Sequence, residues 1–158
     1  MIDRQSLRLF LDAGVVLQGC LGDWGAAKAV LILAATARDR YTIVLAETVA
    51  REVEIARGRI GDPAARAAAR ASYRGWLRRV SLERRPAPTV EEIRAYLPTL
   101  LPILRHADDL PTAVAALLAR PDWVLATNQA HWTTALEPIL GARVGHPGTF
   151  LRELTARW

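Results

Sequence analysis

From Leu7 to Leu11 the chain is apolar at every position but Arg8, and the run stops at Asp12. A short apolar segment of this kind predicts a strand buried on both faces, spanning residues 7–12. The Ala- and Leu-rich segment 25–38 predicts a helix, and the β-branched stretch Thr42-Ile43-Val44-Leu45 a second strand. Glu47 to Arg57 predicts a helix closed by Gly58. Asp62-Pro63 supplies a cap and a first-turn proline for the next helix, where Tyr73, Trp76, Leu77 and Val80 recur at i, i+3, i+4, i+7. Residues 84–89 predict a loop, Val90 to Leu97 a short helix stopped by Pro98, and Asp109 to Ala119 a further helix. Asp122 to Ala126 predicts a third strand, and 132–140 a partly helical stretch with Pro138 near its end. Ala142 to Val144 predicts a short edge strand and Gly148 to Arg157 a closing helix. Strands alternate with helices, so the expected fold class is α/β: a sandwich with a short, mostly parallel sheet, residues 1–158 forming a single domain.

Composition narrows the class. The chain has 158 residues, 51% hydrophobic and 23% charged, which fits one globular domain with a real core. No apolar stretch approaches the roughly 20 residues of a membrane span, so no membrane association is expected. The start, Met1-Ile2-Asp3-Arg4, lacks the layout of a signal peptide. Cys20 is the only cysteine, which excludes an internal disulfide and a cysteine zinc site and points to a reducing cytoplasm. The formal net charge is +5 and Lys28 is the only lysine, so the positive charge is almost all arginine. Arginine suits bidentate phosphate contacts, and it also follows simply from a GC-rich coding bias. Arg66, Arg70, Arg74 and Arg78 form a stripe at i+4 spacing that either tracks a nucleic-acid backbone or is a solvated face.

Candidate chemistry lies with the acids at element boundaries. A carboxylate at the end of a buried strand is costly unless it has a partner, which draws attention to Asp12. Glu52 lies in the helix after the second strand, Asp108 and Asp109 begin the helix before the third, and Asn128 lies just beyond the third. A parallel sheet can bring these positions to one edge, where carboxylate and amide oxygens suit Mg²⁺ or Mn²⁺. Each has a plainer reading: Asp108 or Asp109 as a helix cap, Glu52 as a solvated helix residue. Gly19, Gly22 and Gly25 spell a glycine loop without the Lys-Ser/Thr of a phosphate-binding loop, so it predicts a connection. His106, His131 and His146 do not pair at zinc spacing, and His131 predicts a structural hydrogen-bonder. Trp76 and Trp123 fit the core, while Trp24, Trp132 and Trp158 are candidates for exposed stacking or a dimer contact.

In order and spacing, these segments resemble the PIN-domain nucleases over about residues 8–155. The segments are Phe10-Leu11-Asp12-Ala13-Gly14, Val44-Leu45-Ala46-Glu47 with the helix to Glu52, Asp108-Asp109-Leu110-Pro111, and Asp122-Trp123-Val124 through Asn128 to His131-Trp132. The resemblance implies a metal-dependent ribonuclease with Asp12, Glu52 and Asp109 as catalytic metal ligands and Asp108 and Asn128 in support. Glu52 or Asp109 would help deprotonate the attacking water. It also implies Mg²⁺ or Mn²⁺ as cofactor, RNA as substrate, an antitoxin protein as a possible partner and a homodimer. Three positions depart from the pattern: Gly14 for a polar residue that orients the first acid, Thr127 for a glycine, and Asn128 for a fourth acid. Asn128 and Gly14 keep open a second reading, a catalytically weakened module that binds RNA or protein. A third, a Rossmann-like small-molecule or nucleotide enzyme, would need phosphate at the glycine loop.

Overall fold

The computed structural model describes residues 5–157. Five parallel strands form one sheet in the order β3-β2-β1-β4-β5. They are β1 (Leu7–Leu11), β2 (Tyr41–Ala46), β3 (Ser81–Arg85), β4 (Trp123–Leu125) and β5 (Arg143–Gly145). β1 lies in the middle, with Phe10 opposite both Val44 and Val124, so Leu9, Phe10 and Leu11 are buried from both sides. This is why the strand needs no polar alternation.

The helices are α1 (Ala13–Leu21), α2 (Ala26–Thr36), α3 (Glu47–Gly58), α4 (Pro63–Arg79), α5 (Val90–Leu104), α6 (Leu110–Ala119), α7 (Glu137–Leu140) and α8 (Pro147–Thr155). Right-handed crossovers place α1 to α4 over one face of the sheet and α5 to α7 over the other, and α8 returns to pack on α2. The chain runs outward from β1 through β2 to β3, then returns to build β4 and β5 on the other side. That reversal opens a crevice beyond the carboxyl ends of β1 and β4.

Several elements differ from the sequence expectation. Residues 13–21 form α1, so the start of the expected glycine connection, residues 19–21, is helical; Gly19 sits where a Cβ would press on Leu31 Cδ1 at 2.7 Å, letting α1 and α2 approach closely. Ser81–Arg85 is an edge strand, which takes the start of the expected 84–89 loop. Its Glu83 receives Arg8 through Nε at 3.0 Å and Nη2 at 2.6 Å, answering the one charge in β1. α5 does not stop at Pro98 but runs through Pro102 to Leu104. Burial of Leu100 and Leu104 on one face outweighs the lost backbone bonds, and a Thr89–Glu92 capping box fixes the start. The expected 132–140 stretch divides into a 3-10 turn, Thr134–Leu136, and α7, whose first turn holds Pro138. Trp132 is only 3% exposed and belongs to the core, so it is not a stacking platform; Trp24 is 88% exposed, and Trp158 lies outside the described residues. Among the described residues no single helix is long and apolar enough to cross a membrane.

The α5 extension carries a prediction. Leu104→Ala should cost roughly 3 kcal/mol in denaturant unfolding, the usual cost of a core leucine truncation. A loss under about 1 kcal/mol would mean that the turns beyond Pro102 do not pack into the core.

Candidate active site at the carboxyl ends of β1 and β4

Asp12 leaves β1 directly into α1. Its N–H donates to Leu125 O of β4 at 2.9 Å, and its carbonyl accepts from Val15 and Val16 N–H at 3.1 Å. The residue stands at the N-cap position of α1, yet its side chain makes no capping bond. Burial raises its pKa and the Asp109 carboxylate adds to this, against the Ala13 backbone N–H and His131, which lower it. Glu52 projects from α3, whose Val49 and Val53 are buried. Its pKa is also raised, first by burial, then by Asp12 and by Asp109. The three acids therefore lie within electrostatic reach of one another, as the parallel sheet led one to expect.

Asp109 ends a short 3-10 turn, residues 107–109, and stands at the N-cap of α6, again without a side-chain capping bond. The plain cap reading fails for it. Its Oδ2 is buried and has no hydrogen-bond partner, although His131 Nδ1 lies 2.8 Å away, because that contact is not aligned as a hydrogen bond. The His131 ring stacks on His106 with centroids 3.8 Å apart. Thr112 Oγ1 of α6 donates to Thr48 Oγ1 of α3 at 3.1 Å. Thr48 is one turn before Glu52 and Thr112 is three residues after Asp109, so this bond ties together the two helices that carry those acids.

The other expected positions spread around this centre. Asp108 is exposed in the same 3-10 turn. Asn128 is exposed after β4, and its Oδ1 accepts from Ala130 N–H at 3.2 Å in a local turn. Arg66, Arg70, Arg74 and Arg78 are all exposed along α4. His146 is no part of the centre: its Nδ1 accepts from Gly148 N–H and caps α8. Sequence reasoning missed the His131–Asp109 contact and the Thr48–Thr112 tie, since both join segments far apart in the chain. The expectation that His131 is a structural hydrogen-bonder was the only signal.

Among the described residues no three carboxylate, histidine or cysteine side chains already form a group that could hold a metal ion. The donor chemistry nevertheless fits a divalent cation: Asp12 and Glu52, whose pKa values burial and neighbouring carboxylates raise, and one buried oxygen, Asp109 Oδ2, without a hydrogen-bond partner.

No protein-family model matches the chain, and no curated protein sequence matches it. Two solved structures are similar. The VapBC2 complex of Rickettsia felis, bound to a DNA fragment from its promoter, aligns with TM-score 0.63 and 14% identity over 89% of this chain and 98% of that one. PAE2754 of Pyrobaculum aerophilum aligns with TM-score 0.60 and 16% identity over 97% and 98%. The chain has the PIN-domain fold.

Two of its departures from the PIN pattern turn out to be one. A Cβ at Gly14, in the first turn of α1, would collide with Thr127 Oγ1, which follows β4. Thr127 thus fills the space that a side chain at position 14 would take, beside Asp12. Gly14→Ser alone should destabilise the fold by roughly 1–3 kcal/mol through overpacking. Combining it with Thr127→Gly should recover much of that loss, a coupling of about 0.5–3 kcal/mol in a double-mutant cycle read by denaturant unfolding. Strictly additive changes would break the link.

The raised pKa of Asp12 makes a second prediction. The folded state binds its proton more tightly than the unfolded state, so this group lowers stability as pH rises through and above the ordinary carboxylate range. In EDTA, Asp12→Asn should therefore melt at a higher temperature than the wild type at pH 8, and the gap should shrink towards pH 4. An Asp12→Asn protein that melts lower at pH 8 would show that the carboxylate is well compensated in the fold.

Proposed function

We propose that this PIN fold is a metal-dependent ribonuclease that hydrolyses RNA phosphodiester bonds and serves as the toxin of a toxin–antitoxin pair. The supporting observation is that Asp12, Glu52 and Asp109 lie within electrostatic reach of one another at the β1/β4 crevice, Asp109 acting on Asp12 and both of them on Glu52. These three would hold Mg²⁺ or Mn²⁺, with Asp108 and Asn128 in support. When bound, the ion supplies a water of lowered pKa and neutralises charge on the phosphodiester in the transition state.

The chain's own groups do the rest. Glu52 is the exposed member of the trio and has a raised pKa, so it is placed to accept a proton from an attacking water. Asp109 is held by its α6 N-cap position and the Thr48–Thr112 tie. Arginines of α4 hold the substrate backbone. The likeness to the VapBC2 complex supports an antitoxin protein as partner, and by the same family resemblance we expect a cytoplasmic homodimer. Asn128 favours the second reading, a catalytically weakened module, because its amide oxygen already serves a turn and it carries no charge.

Incubation of the purified protein with labelled RNA and Mn²⁺ tests this. The wild type should cleave, EDTA should stop it, and Asp12→Asn and Glu52→Gln should each slow it by at least about 10²-fold. RNA bound but left intact by wild type and variants alike would overturn the nuclease reading in favour of the module.

A further inference from the structure

The sheet rim that carries Asp12 continues past β4 to β5. Leu11, Leu125 and Gly145 lie in register across β1, β4 and β5. The row is extended by Asp12 N–H, which donates to Leu125 O at 2.9 Å, and by Ala126 N–H, which donates to Gly145 O at 3.1 Å. Gly145 lines a cavity of about 330 Å³. Two strand spacings, about 10 Å, separate this wall from the residue before Asp12. The loop after β4 joins the two places. It gives Gln129 and Trp132 to the cavity lining and, between them, His131 to Asp109, with Nδ1 2.8 Å from Oδ2.

The lining is polar and uncharged. Gln129, Thr133, Thr134 and His146 supply polar side chains beside buried Trp132 and Val144, and no Asp, Glu, Lys or Arg takes part. A phosphate or a carboxylate would find no counter-charge here, whereas a neutral polar group meets matching donors and acceptors. Among the described residues the side chains of Gln129, Thr133 and Thr134 enter no hydrogen bond, while the Thr149 hydroxyl, which also lines the cavity, already accepts from Arg152. His146 has a fixed polarity. Its Nδ1 accepts from Gly148 N–H at 3.0 Å, so the neutral ring keeps its proton on Nε2 and donates from there.

We infer that this cavity receives an unstacked adenine of the RNA substrate, with Gln129 as the residue that sets the base preference. The inference rests on the nuclease reading for RNA as the ligand. The Gln129 amide offers an acceptor beside a donor. Adenine offers the complement, N6–H beside a ring nitrogen, on both its Watson–Crick and its Hoogsteen edge. One edge pairs with Gln129, and the ring nitrogen of the other accepts from His146 Nε2–H. Guanine shows two acceptors on its Hoogsteen edge, which call for an arginine, and a pyrimidine has only one edge of this kind.

The test is equilibrium binding of fluorescein-labelled seven-nucleotide RNAs to the cleavage-disabled Asp12→Asn protein. One RNA is all uridine, and the others carry a single central adenosine, guanosine or cytidine. The adenosine RNA should bind about tenfold more tightly than the all-uridine RNA, the usual worth of a bidentate base contact. Adding Gln129→Ala should bring that ratio close to one and leave the affinity for the all-uridine RNA unchanged. Gln129 is exposed and makes no bond within the fold, so the variant should remain folded, which circular dichroism checks. Equal binding of all four RNAs overturns the proposal. So does a preference for another base, or an adenosine preference that survives Gln129→Ala. Binding is read without cleavage. A protein that prefers adenosine but never cuts RNA sinks the nuclease reading alone, and one that cuts RNA but binds all four alike sinks this inference alone.

Discussion

Three carboxylates brought together at one sheet edge repel, and burial adds to the cost of ionising them. Asp12 and Glu52 both have raised pKa values for these reasons, and Asp109 contributes to each. The fold imposes this arrangement because β1 is the point where strand order reverses. Asp12 must leave the sheet between β2 and β4, and the crossover from β3 returns over the far face to deliver Asp109 just before β4. The cost is carried by the core: Leu9, Phe10 and Leu11 are fully covered, as are Val44, Val124 and Leu125 beside them. A sheet this well packed can hold a repulsive cluster at its rim that a looser one would let splay.

Helix caps separate the acids that serve the fold from those that do not. Asp62 precedes α4 and accepts from Ala65 N–H through Oδ2 at 2.8 Å, as its sequence position foretells. Asp12 and Asp109 occupy the same position on α1 and α6 and make no such bond. From sequence alone Asp109 reads as a cap much as Asp62 does. In the structure, Asp12 and Asp109 make no capping bond and lie within electrostatic reach of each other.

What was legible in the sequence followed from burial. β1, β2 and β4 are covered on both faces, so their apolar runs stand out, and the acid ending β1 stands out against them. α1 was not legible because Ala13-Gly14-Val15-Val16 combines a glycine with β-branched residues of poor helix propensity. It is helical because Val15, Val16 and Cys20 have a core to pack into. β3 was hidden by polarity, since an edge strand of sequence Ser-Leu-Glu-Arg-Arg needs only one covered side. α5 was cut short on paper by Pro98, whose backbone cost two buried leucines offset. At the site, the acids were visible because their residue types were wrong for their surroundings. The Thr48–Thr112 bond, the His131–Asp109 contact and the Gly14–Thr127 fit join residues 64, 22 and 113 apart and leave no local trace. The last of these also changes the meaning of a departure: Gly14 reads as a lost orienting group until Thr127 is seen in its place.

Two like-charged clusters of opposite sign stand out, acids at the crevice and arginines in the cleft between α3 and α4. Burial and the Asp109 carboxylate raise the cost of ionising Asp12, and α4 carries no acid to offset its arginines. A cation relieves the first and a polyanion the second. α3 carries a member of each cluster, Glu52 and Arg57. If the charges were there for solubility alone, dispersing them would serve better and cost less.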